Sequence, residues 1–290
     1  MGGGSYNFQA RVSRSASYSS KSVNQIFEQN EKRQIHESMD PKKALLRESR
    51  DSAAHPNSVP IIIGLDVTGS MERVPEMLVK TGLPHMMSKI IESGVPDPQI
   101  LFLAIGDHMR DYYPLQVGQF ESADLELDTW LTRAYLEGGG GGNGGESYAL
   151  AWYFAANHTV TDSWEKRHKK GFIFTIGDEP VHPEIAKNAI TSIMGITPEA
   201  AIDTRAILEK ARQTYNVYHI HLTETPTGKY PDVQRGWKEL MGEHVIILDD
   251  HTQIPRVIGE IVLAANREVY LGATHGNPIL PESTPRKIRL

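Results

Sequence analysis

The chain has 290 residues and a mass of 32.3 kDa, long enough to bury a sizeable core as one large or two small domains. Thirty basic against thirty-six acidic side chains leave a net charge of -6, which argues against nucleic acid as a partner. The sequence has no cysteine, which excludes disulfides, thiolate zinc sites, iron–sulfur clusters and cysteine nucleophiles and leaves oxygen or imidazole to hold any metal.

Residues 1–58 are rich in serine, glutamine, asparagine and charge, with nine basic against six acidic side chains in residues 1–60. They read as a polar arm that docks on its own domain or on a partner, and that offers a route to an oligomer. Within it, 23–34 and 41–50 are the stretches with helical character, neither carrying a continuous apolar face. The opening MGGGSYNFQA lacks the apolar run of a secretion signal. No stretch reaches the roughly 18 apolar residues of a membrane span, so a cytoplasmic setting without membrane contact is the expectation.

From Pro60 the pattern alternates between strand and helix. PIIIGLD, ending at Asp66, is a continuous apolar run of the kind found in buried parallel strands. A helix is predicted over 72–92 with a kink at 82–84, and a second strand over 99–106. A short strand near 115–120 and a helix over 125–136 follow. Seven of the eight positions from Gly138 to Gly145 are then glycine, interrupted by Asn143. ESYALAWYFAAN, starting at Glu146, reads as a helix apolar nearly all round and hence buried. Strands are predicted over 171–177, 216–222 and 244–248. The intervening helices are 197–215, with Thr197 as N-cap and Pro198 at the first helical position, and 233–241. A helix over 254–267 closes the domain, and the proline-rich tail reads as extended. The alternation predicts an α/β domain over 59–268, a doubly wound, mostly parallel six-stranded sheet with helices on both faces, followed by a tail over 269–290.

In such sheets functional residues gather beyond the carboxyl ends of the strands. The first strand exits into Asp66-Val67-Thr68-Gly69-Ser70, the second into Asp107-His108 and the fourth into Asp178-Glu179-Pro180. Asp66, Thr68 and Ser70 alternate, so a turning loop points three oxygens to one side while Gly69 allows the tight path. A carboxylate with two hydroxyls is a hard oxygen set that suits Mg²⁺ better than zinc, and Asp178 completes it if its strand lies beside the first. The alternative is that Asp66 and Ser70 cap the following helix. Glu146 sits at the start of the buried helix, where the helix dipole favours a carboxylate, and the glycines allow backbone to pass over the site. A plain loop with a capping glutamate accounts for the same residues. Asp107 and His108, with Asp111, form a polar cluster at the same edge.

The Asp66-Val67-Thr68-Gly69-Ser70 segment after IIIGL resembles the metal-ion-dependent adhesion site of von Willebrand factor type A domains, whose signature is Asp-x-Ser-x-Ser. The strand and helix order over 60–267 is similar to that family's six-stranded Rossmann-like sheet. The resemblance implies that Thr68 and Ser70 bind Mg²⁺ directly, that Asp66 acts largely through water, and that Asp178 in FTIGDEP takes the third-loop position. The family's second-loop threonine has no counterpart. GGNGGES instead resembles the second loop of integrin beta-subunit I-like domains and of alpha-kinase type A domains, which carries the metal-binding glutamate over to Glu146. Asn143, Ser147 and Glu179, with Asp107 and His108, are the surrounding or partner-contact positions that this reading implies.

Two rival constellations fit less well. Aspartic protease chemistry needs two Asp-Thr-Gly loops, and this chain has one such loop, interrupted by Val67; a phosphate-cradling loop needs Lys-Ser or Lys-Thr after the glycines, where this chain has Glu146. His219 and His221 alternate on one strand and, with Glu224, offer a weak zinc reading. The resemblance implies a module that binds rather than catalyses, with Mg²⁺, or Mn²⁺ or Ca²⁺ in its place, and a protein partner whose Asp or Glu completes the metal. Bacterial or phage relatives of this kind work in multi-protein assemblies. The alternatives are a metal-dependent hydrolase or phosphotransferase with His108 or His182 as base, and a structural assembly component whose arm and tail exchange between subunits.

Overall fold

The computed structural model describes residues 4–274 apart from Glu72, Ser93, Pro96 and residues 139–143. Asn143, the middle of the glycine run and the tail beyond 274 lie outside the described residues. The central sheet has six strands: β1 (Val59–Asp66), β2 (Pro98–Ile105), β3 (Leu115–Val117), β4 (Gly171–Gly177), β5 (Tyr215–Leu222) and β6 (Val245–Leu248). Their order is β6-β5-β4-β1-β2-β3, and every pair is parallel except β2 with β3. The chain therefore winds from β1 outward to β3, returns, and winds out again from β4 on the other side.

Successive residues of a strand face opposite sides of the sheet. Ile61, Ile63 and Leu65 of β1 join one apolar cluster and Ile62 the other, and β2 divides likewise between Ile100 and Phe102 on one side and Leu101 and Leu103 on the other. Both faces are thus covered, which is why these strands read as unbroken apolar runs. In chain order the principal helices are α1 (Phe8–Tyr18), α2 (Leu83–Glu92), α3 (Asp124–Thr132), α4 (Tyr148–His158), α5 (Lys187–Met194), α6 (Thr204–Thr214), α7 (Pro231–Met241) and α8 (Ile254–Thr274). Buried side chains of α2, α3 and α8 pack on one face and those of α4 to α7 on the other. Among the described residues no helix is long and apolar enough to cross a membrane.

Five departures of the structure from the sequence reading bear on the architecture. The helix expected over 72–92 is split by a π-helical turn, Leu78–Gly82, just ahead of Pro84, which has no N–H to continue the ladder. The helix expected from Thr197 begins at Thr204, capped by Asp203, whose carboxylate accepts from the Ala206 N–H at 2.8 Å. Upstream of it Ile202 and Asp203 are held extended by antiparallel pairing with Glu184 and Ile185, so the Thr–Pro signal falls in a loop. α5, which sequence reasoning missed, ends at Gly195, whose φ of 69° only glycine adopts freely. α8 runs on to Thr274 rather than stopping at 267.

The fifth departure is in the arm, where Arg47–Ser49 forms a strand paired with Thr159–Thr161 instead of a helix over 41–50. The arm is tied to its own domain. α1, capped by Asn7, lies against α3 and the π-helical turn. The fully buried Arg11 pairs with Asp128 and donates to the Val79 carbonyl. Arg14 reaches Asp124 at 2.7 Å and the Tyr18 hydroxyl reaches Asp128 at 2.7 Å. Farther along, Ile26 and Phe27 enter the core.

Candidate metal centre

β1 and β4 are neighbours from which the chain departs in opposite directions, so a crevice opens beyond their carboxyl ends. Asp66 ends β1 and Asp178 follows β4. Both are fully buried. Asp66 Oδ1 accepts from the Thr68 N–H at 2.9 Å and from its hydroxyl at 2.6 Å, while Oδ2 accepts from the Tyr148 hydroxyl at 2.7 Å. Tyr148 reaches in from α4 across Gly177, where a Cβ would lie 1.9 Å from the phenolic oxygen. Burial first, and the Asp178 charge second, push the Asp66 carboxyl above the usual carboxylate range.

Ser70 is exposed at the mouth of the crevice, and its hydroxyl donates to Asp178 Oδ1 at 3.1 Å. Asp178 Oδ2 is buried and has no hydrogen-bond partner among the described residues. The same is true of both carboxylate oxygens of Glu146, which is 1% exposed. Burial pushes the Glu146 carboxyl far up, and the charges of Asp66, Asp107, Asp111 and Glu179 push it in the same direction. Buried polar atoms without partners are rare and costly. These oxygens are of the hard, anionic kind that suits Mg²⁺, but the structure does not bring ligand atoms of Asp66, Asp178 and Glu146 all within 4.8 Å of one another.

Glu146 reaches this place by a route that differs from the expectation. It does not open the helix, because α4 begins at Tyr148 with Ser147 before it. Instead Glu146 forms a strand-like bridge to the loop after β4. Its N–H donates to the Pro180 carbonyl at 2.8 Å and its carbonyl accepts from the His182 N–H at 3.2 Å. Gly145 allows that approach, since a Cβ there would lie 2.9 Å from His182 Nδ1 and 3.2 Å from the Pro180 carbonyl oxygen. Backbone pairing, not the helix dipole, aims this carboxylate.

The positions expected around the site form a group of their own. His182 Nε2 lies 2.8 Å from Asp107 Oδ1, and the Met109 N–H also donates to that oxygen at 3.0 Å. Ser147 Oγ accepts from the His108 N–H at 2.8 Å and lies 2.7 Å from His108 Nδ1. The His108 and His182 rings meet edge to face at 4.9 Å. Asp107, His108 and His182 each bring a ligand atom within 4.8 Å of the others. Sequence reasoning named His182 only as a possible base. Its signal was its place four residues after Asp178 in the same strand-end loop. Glu179 is nearly buried, with its carboxyl raised chiefly by burial, and its carbonyl accepts from the Trp237 indole at 3.0 Å. His219 stacks on Trp237 at 3.5 Å, His221 bonds the Gly228 carbonyl, and Glu224 pairs with His251 instead of with these histidines.

No protein-family profile matches the chain, and no curated protein matches it. Solved structures do. A pilus adhesin, SpaC from Lactobacillus rhamnosus GG in an open conformation, aligns with a TM-score of 0.52 at 10% identity. The alignment covers 77% of this chain but only 31% of the adhesin, so the chain corresponds to less than a third of that protein. A conserved hypothetical protein, BatB from Bacteroides thetaiotaomicron, aligns at 12% identity with a TM-score of 0.43, covering 72% of this chain and 99% of its own. At such identity the adhesin alignment establishes a likeness of fold and nothing about the residues at the strand ends.

Proposed function

We propose that the chain is a metal-dependent protein-interaction module of the von Willebrand factor A type, with Mg²⁺ held by Thr68, Ser70, Asp178 and Glu146, and with Asp66 acting behind them. The observation that carries this reading is the set of unpartnered buried oxygens, Asp178 Oδ2 and both oxygens of Glu146. A bound Mg²⁺ supplies an electrophilic anchor that a carboxylate from another protein completes. The chain's own residues arrange for that approach. Asp66 and Thr68 are buried and fix one another, while Ser70 and Gly69 stay exposed on the open side. Beside them a cleft of about 440 Å³, lined by Ser70, Arg73, Leu222 and Thr225, admits a side chain. Arg73, exposed at this rim, favours an acidic one.

Two measurements test this reading. Calorimetric titration with Mg²⁺ is expected to give one site that Ser70→Ala and Asp178→Ala weaken. Capture of a partner from the native cell is expected to be lost with chelator and in Asp66→Ala. A partner retained under both conditions contradicts the proposal.

A further inference from the structure

We propose that Asp107, His108 and His182 form a second metal site, of different chemistry from the first, that takes a first-row transition cation of the Zn²⁺ kind. Two imidazoles and one carboxylate are a borderline, nitrogen-rich set that Mg²⁺ serves poorly and Zn²⁺ well, and three protein ligands leave a coordination position open. The ligand atoms lie within 4.8 Å of one another and all three side chains are largely buried.

The surroundings hold these ligands in place as outer partners of a metal site do. Ser147 Oγ engages His108 through both its N–H and Nδ1, and Asp111 Oδ2 accepts the Asp107 N–H at 2.7 Å. Gly145 makes room for the His182 ring. The tripeptide Gly145-Glu146-Ser147 therefore touches both histidines. Its central residue adds an independent observation, a buried carboxylate with both oxygens unpartnered, on which the charges of Asp66 and Asp107 both act. Glu146 thus lies within electrostatic reach of Asp66 in the first group and of Asp107 in the second. An entry path exists as well. His108 and Asp111 form part of the wall of a cleft of about 400 Å³ whose other side is the arm around Gln34, Asp40 and Lys43.

The test uses the full chain with Zn²⁺ as the probe, in saturating Mg²⁺. One equivalent of Zn²⁺ is expected to bind, and X-ray absorption of the loaded wild-type protein is expected to show two imidazole nitrogens at about 2.0 Å. His108→Gln and His182→Gln, checked for folding by circular dichroism, are each expected to weaken Zn²⁺ binding by at least about tenfold while leaving Mg²⁺ binding in place. Ser70→Ala is expected to do the reverse, so failure of the Mg²⁺ reading leaves this one standing. The chain has 12 histidines, so unchanged Zn²⁺ affinity in both folded variants would assign the binding to other histidines and overturn the proposal. Absence of Zn²⁺ binding, or fewer than two imidazoles in the absorption spectrum, would overturn it whether or not the variants fold.

Discussion

Replacing Glu146 by Gln separates a metal-binding carboxylate from a structural one, because the two roles have opposite effects on stability. The Glu146 carboxylate has no hydrogen bond to lose among the described residues, and it is pushed from 4.5 up to about 10, chiefly by burial and then by the Asp66 charge. A carboxyl raised on folding contributes stability that is present at low pH and lost as pH rises above its unfolded value. Each pH unit over which the folded protein keeps a proton that the unfolded chain has released costs about 1.4 kcal/mol, or about 3 kcal/mol by pH 7. Gln carries no such penalty, although its buried amide offsets part of the gain by about 1–3 kcal/mol. In urea titrations with chelator, the variant is therefore expected to gain on the wild type by up to about 1.4 kcal/mol per unit between pH 5.5 and 7.5. Mg²⁺ at a hundred times its dissociation constant is expected to stabilise the wild type by about 2.7 kcal/mol and the variant much less. A gap that does not widen with pH, or equal stabilisation of both proteins by Mg²⁺, would refute the reasoning.

Other substitutions probe the remaining parts of the account. Ser70→Ala removes one exposed hydroxyl bonded to Asp178, so Mg²⁺ affinity measured by calorimetry is expected to fall at least about tenfold while stability changes by less than about 1 kcal/mol. Gly145→Ala sets a Cβ 2.9 Å from His182 Nδ1 and 3.2 Å from a backbone oxygen, and a loss of about 1–3 kcal/mol in denaturant midpoint measurements is expected. Arg11→Ala leaves Asp128 buried without its guanidinium. A loss of about 3–5 kcal/mol is expected, with limited proteolysis cutting first within the arm. Unchanged arm protection would show that Arg11 does not hold it.

The parts of the molecule that were legible in the sequence are those with local causes. The unbroken run from Ile61 to Leu65 reflects burial on both sheet faces, a demand that each residue of the strand meets individually. The alternation of Asp66, Thr68 and Ser70 is likewise a short-range pattern, whereas the place of Asp178 depended on a long-range condition, β4 lying beside β1, that the structure meets. The arm helix was not legible because its inward face is made of Arg11 and Ser15, polar groups whose partners Asp128 and the Val79 carbonyl are far away in sequence. Hydrophobic periodicity does not register such an interface.

His182 was underrated for a related reason. Its meeting with Asp107 joins the loops after β4 and β2, and depends on the Glu146 backbone pairing with that loop. Glu146, expected at a helix start with its carboxylate aimed inward, is buried, but it lies in a β-bridge ahead of the helix and not at the helix terminus.

The most direct test of the central claim is a crystal structure of the full chain grown with Mn²⁺ in place of Mg²⁺ and read by anomalous scattering. The account expects a peak at the crevice between β1 and β4, in contact with the Ser70 hydroxyl and with carboxylate oxygens of Asp178 and Glu146. A well-ordered structure with no anomalous peak there, and with Asp178 Oδ2 and the Glu146 carboxylate still unpartnered, would contradict it.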